Sequence, residues 1–151
     1  MDIESTKIFK PTTKSMFVRF GLALLVIAAL IIFLPYNDLM GLAAIPVFLA
    51  LYCVFKMVTD GSEEIAVATS KVEQRMAIKR QMIPLHSIQY IRSYSHMGTH
   101  YLVIETDHHA YKMGGFLSRA QKKELVNNIL ERIRVSFPEN YFYVKKKVDK
   151  F

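Results

Sequence analysis

The chain has 151 residues, a formal net charge of +7, 52% hydrophobic residues and one cysteine. That length holds about one domain. The composition excludes a disordered or collagen-like chain, and a lone cysteine, Cys53, set in an apolar run, excludes a disulfide scaffold.

The apolar residues are unevenly spread. Residues 20–37 carry no charge and neither do residues 39–55, with Asp38 alone between the two runs. Each run approaches the roughly 20 apolar residues that cross a bilayer as a helix. Pro35-Tyr36-Asn37-Asp38 supplies a tight polar turn between them, and Pro46 is placed to kink the second helix. A cleaved signal peptide needs a small-residue cleavage site after a shorter apolar core, and a buried soluble hairpin shows a polar stripe; the sequence has neither. The expectation is a transmembrane hairpin over residues 16–58, preceded by an N-terminal segment of residues 1–15. All 20 Lys and Arg flank the two runs. The positive-inside rule then places both termini in the cytoplasm and the turn on the far side, as in a multi-pass protein of the bacterial inner membrane. A domain beside anionic headgroups is expected to be basic, so the charge points to the lipid bilayer and to no specific nucleic acid.

After Lys56 the period changes. Residues 64–69 form a short apolar segment, residues 69–73 a hairpin connection, and residues 74–82 alternate, with Met76, Ile78 and Met82 on one face and Arg75, Lys79 and Gln81 on the other. Pro84 separates these from residues 86–94, which pair with residues 99–106 around Gly98. Residues 110–113 return after Asp107-His108-His109 and end at Gly114-Gly115. This predicts about five strands in one antiparallel meander. Ser118 and Gln121 form a capping box, and Leu125, Ile129 and Ile133, with Val126 and Leu130, make the apolar stripe of a single amphipathic helix ending before Pro138. Arg119, Lys122, Lys123, Glu124 and Arg132 take its water-facing side. The fold class is therefore an α+β membrane protein, with a cytoplasmic domain over residues 59–137 and a basic-aromatic tail over residues 138–151.

The two apolar helices, the segment Ile83-Pro84-Leu85-x-x-Ile88 at a strand entrance, the strand over residues 101–106, the Gly-Gly pair and the capped helix together resemble the membrane-tethered bacterial PH-like domain proteins. The resemblance covers about residues 64–133. It implies a scaffold or interaction module and no catalyst, and it carries over no ligand motif. A full PH barrel has seven strands before its helix, where the sequence shows about five.

No constellation for chemistry emerges. His96, His100, His108 and His109 have spacings that do not converge on a metal, Glu105 and Asp107 do not form a carboxylate pair with a pocket, and no glycine loop cradles phosphate. No cofactor, metal or catalytic residue is expected, and the protein is not read as an enzyme. Lys79, Arg80, Arg119, Lys122 and Lys123 are candidates for an anionic headgroup. Tyr141, Phe142 and Tyr143 in the tail, with Arg92 and Lys112, are candidates for binding a protein partner along a sheet edge or outer face. Three functions fit: a scaffold or accessory subunit of a larger inner-membrane complex, an immunity or inhibitor protein acting on an effector, and a sensor of anionic lipid. The first is the leading reading. The sequence specifies no oligomeric state.

Overall fold

The computed structural model describes residues 6–33, 40–96, 98–146 and 148. A short strand, β1 (Lys7–Phe9), precedes two long helices, α1 (Thr13–Phe33) and α2 (Met40–Gly61). The strands β2 (Glu64–Val67), β3 (Lys71–Arg75) and β4 (Arg80–Pro84) follow, then a single 3-10 turn and the strands β5 (Ile88–His96), β6 (Thr99–Thr106) and β7 (Ala110–Met113). Two helices, α3 (Arg119–Ser136) and α4 (Pro138–Lys146), close the described chain.

The strands form two antiparallel sheets, one of four in the order β1-β2-β3-β4 and one of three in the order β5-β6-β7. Among the described residues seven strands replace the expected five, for two reasons. β1 is only three residues long and is followed by helix, so no alternation marks it; it pairs with β2 through Lys7 opposite Val67 and Phe9 opposite Ile65. The alternating run over residues 74–82 is two strands, because the chain turns at residues 76–79, where the Met76 N–H donates to the Lys79 carbonyl at 2.7 Å. Ile78 sits on that turn and is exposed; its fit to a period of two was accidental.

The helix pair is thus an excursion between two neighbouring strands. α1 leaves β1, α2 returns to β2, and the ends nearest the sheets are held so close that a Cβ added to Gly61 would collide with the Met16 Cε. Phe20 of α1 meets Phe116 after β7, with ring centroids 5.5 Å apart.

The transmembrane hairpin expected over residues 16–58 is overturned. Among the described residues no helix is long and apolar enough to cross a membrane. Lys14 and Arg19 fall inside α1, so its charge-free part, residues 20–33, is roughly 21 Å long at 1.5 Å per residue. Residues 40–55 of α2 reach roughly 24 Å before Lys56, against about 30 Å of hydrocarbon. The multi-pass inner-membrane placement and the orientation drawn from the basic flanks fall with it. The expected turn at Pro35 to Asp38 lies outside the described residues.

Ile83-Pro84-Leu85-x-x-Ile88 forms the corner at which the chain passes from the first sheet to the second. Ile83, Leu85 and Ile88 are all buried there, and the Leu85 N–H donates to the Ser70 carbonyl at 2.9 Å. The core lies between the sheets and α3. Phe9, Ile65, Val67, Val72 and Ile83 from one sheet join Ile91, Leu102, Ile104 and Met113 from the other, and the α3 stripe of Leu125, Val126, Ile129 and Ile133 packs against both. Ser118 caps α3 with the full reciprocal box to Gln121.

The single C-terminal helix is also corrected. α4 follows α3 at once because Pro138 is tolerated in the first turn of a new helix. Val144 is fully buried, and Val148 makes an isolated parallel bridge to Ile91 on the outer edge of β5.

Candidate functional site

Two places concentrate polar and aromatic side chains, and both adjoin the second sheet. The first is the junction where α2 delivers the chain to β2. Glu63 is only 3% exposed and Gln74, on the inner face of β3, 1%. The Glu63 carboxylate accepts from the Gln74 side-chain amide at 2.7 Å and from the Gly114 N–H at 2.8 Å. The same Gln74 amide donates to the Lys112 carbonyl at 3.2 Å. One buried carboxyl and one amide therefore clasp the helix exit, β3 and the end of β7. Burial raises the Glu63 pKa above its usual value, against the pull of these two hydrogen bonds.

Beside the clasp lies a cleft of about 260 Å³, lined by Lys56, Asp60, Glu63, Met76, Tyr101, Lys112, Met113, Gly115 and Phe116. Lys56 and Asp60, one turn apart on α2, pair at 2.8 Å, and that hydrogen bond raises the Lys56 pKa. Drug-sized ligands occupy pockets of about 300–1,000 Å³, so this cleft suits an ion, a water cluster or a single side chain.

The second place is the outer face of the second sheet. Arg92 of β5 stands opposite Val103 of β6, and Val103 opposite Lys112 of β7, so the two expected partner-binding cations flank Val103 on one face of the sheet. Arg92 pairs with Glu105 at 2.6 Å. The Lys112 ammonium lies 4.6 Å from the centroid of Tyr94 and 5.0 Å from that of Tyr101, a cation over two aromatic faces. Tyr94 in turn stacks with His96, centroids 6.1 Å apart and planes 12° from parallel.

The other sequence candidates disperse. Tyr141 packs against the core from α4, whereas Phe142, 77% exposed, and Tyr143 point away from it. The tail therefore does not present three equivalent anchors. Lys79 and Arg80 lie at the β3–β4 turn, and Arg80, with Arg75, is engaged by Glu73. Those two guanidinium groups hold the Glu73 carboxyl down to about 2, and the pairing raises Arg75. Arg119 and Lys123 are exposed at the start of α3, on a different element from that turn. Lys122, expected to face water, is buried, with its ammonium donating to the His100 carbonyl; its aliphatic stem covers apolar surface while its head finds a backbone acceptor. The five proposed headgroup cations do not form one cluster.

Sequence reasoning missed Lys56, Asp60, Glu63 and Gln74. Glu63 sits in Ser62-Glu63-Glu64, which reads as a solvated linker, and no local signal marks the buried one of the two carboxylates. Among the described residues no group of three or more His, Cys, Asp or Glu is placed to hold a metal ion. Comparison of this chain with protein-family models, curated proteins and solved structures finds no match.

Proposed function

We propose that the protein is a non-enzymatic scaffold or accessory subunit that binds a protein partner. One observation carries the reading. Phe17, Leu22, Leu25 and Ile32 of α1 and Phe48, Leu51 and Phe55 of α2 are each more than half exposed. Monomeric proteins rarely leave continuous apolar surface of more than a few hundred Å² in water. This surface runs along two adjacent helices of which, among the described residues, neither is long and apolar enough to cross a membrane, which favours the apolar helices of another protein as its cover. The two sheets and α3 then act as the rigid base that holds the pair. Four strands, three strands and a closing helix support a PH-like reading of that base.

The test is photo-crosslinking from residue analogues at Leu22 and Phe48, with Val135 as an exposed control on α3. The expected outcome is a protein adduct of defined mass from both helix positions and none from the control, lost on Leu25→Glu plus Leu51→Glu. Adducts to lipid alone, or adducts indifferent to the two charges, overturn the reading.

A further inference from the structure

β5 is nine residues long, and among the described residues its outer edge is covered only where Val148 lies parallel to Ile91. β5 is also the terminal strand of its sheet. Among the described residues, no strand lies along that edge at residues 92–96, and all five of these residues are exposed. An edge in this state offers unpaired N–H and C=O groups to another chain. The Ile91 bridge shows that the edge accepts a backbone partner.

The side chains along it say what kind. Arg92, Tyr94 and His96 share the outer face, and Lys112 reaches across from β7 to lie over Tyr94. Ser93 and Ser95 take the other face and present little bulk. Among the described residues Lys112 has no carboxylate within ion-pair distance, and Arg92 has Glu105 alone, itself about a third exposed. The chain as a whole carries +7.

We propose that residues 92–96 of β5 are a strand-addition site for an extended acidic segment of a protein partner. The segment's backbone pairs with the edge at residues 92–96, and its alternate carboxylates meet Arg92, His96 and Lys112. A second copy of this chain is a poor occupant, because antiparallel pairing of two β5 edges about a two-fold axis at Tyr94 sets Arg92 of each copy opposite His96 of the other and brings no carboxylate from residues 92–96. The site uses none of the exposed apolar residues of the helix pair, and its test reads it independently of them.

The experiment is fluorescence anisotropy of the full-length chain with a fluorescein-labelled peptide of alternating Glu and Thr. Saturable binding is expected, weakened about tenfold or more, equivalent to about 1.4 kcal/mol, by Arg92→Glu with Lys112→Glu. It should be abolished when alternate peptide amides are N-methylated, and binding should slow hydrogen exchange at residues 92–96. If the charge-reversed chain melts differently from the parent, the Arg92→Gln and Lys112→Gln pair is read instead. Equal binding of the N-methylated peptide overturns strand addition. Indifference to the substitutions, or binding of a Lys-Thr peptide or an oligothymidine at least as tight as that of the acidic peptide, overturns the assigned partner chemistry.

Discussion

The side-chain amide of Gln74 donates to the carboxylate of Glu63 across 2.7 Å, and neither residue is more than 3% exposed. A buried hydrogen-bonded pair of this kind is costly to break from one side, since the remaining group keeps its desolvation without its partner. Gln74→Ala is expected to destabilise the protein by about 2 kcal/mol. Urea unfolding at neutral pH measures it; a loss within about 0.5 kcal/mol, the level of an ordinary surface substitution, would show that the clasp contributes nothing.

Glu63 and Glu73 should bend the pH dependence of stability in opposite directions. Burial raises Glu63, so the folded state binds its proton more readily than the unfolded one. Stability from this group is full below the unfolded carboxylate value of about 4.5 and declines as pH rises through the folded value. The arginine pair lowers Glu73 to about 2. Its contribution is full above about 4.5 and is lost as pH falls through about 2. Glu63→Gln should flatten the decline on the alkaline side of about 4.5, and Glu73→Gln the loss on the acid side. Denaturant midpoints followed from acid to neutral pH read both.

Gly114 and Gly115 are predicted to resist alanine for different reasons. Gly114 has φ +68°, and an added Cβ would meet the Leu117 Cδ1 at 3.2 Å. At Gly115 the obstacle is the Tyr101 ring, whose nearest carbon would stand 2.6 Å from an added Cβ. Each substitution should cost about 1–3 kcal/mol. Gly98, at φ +73° but facing open space, should cost only about 1 kcal/mol. Thermal melts of the three variants give the ranking, and Tyr101→Val should restore Gly115→Ala but leave Gly114→Ala impaired.

Removing the chain beyond Phe137 should damage the fold as well as any interface. Val144 is fully buried, and Tyr141 and Val148 pack on the core. Val144→Ala is expected to lower stability by about 2 kcal/mol, while Phe142→Ala, on the exposed side of the same helix, should stay within about 0.5 kcal/mol. Equal effects from the two would contradict the placement of α4.

The local elements were largely legible in the sequence. The capping box at Ser118, the stripe from Leu125 to Ile133, the breaks at Pro84 and Gly98 and the helical character of the apolar runs depend on residues within a few positions of one another. Helix and strand periods impose their patterns over that range. The errors arose where a local pattern was ambiguous: alternation over residues 74–82 continued through a turn, and length and lack of charge suggested spans that no described helix provides.

Tertiary structure decided everything that joins distant segments. Nothing near Lys7 announces that it will pair with Val67, nothing near Glu63 that Gly114 and Gln74 will seal its carboxyl, and nothing near Arg92 that Lys112 will share its face across Val103. The physical reason is that burial and strand pairing are properties of the closed core. A carboxylate reads the same in a linker whether water or two buried donors surround it, and only the folded chain determines which.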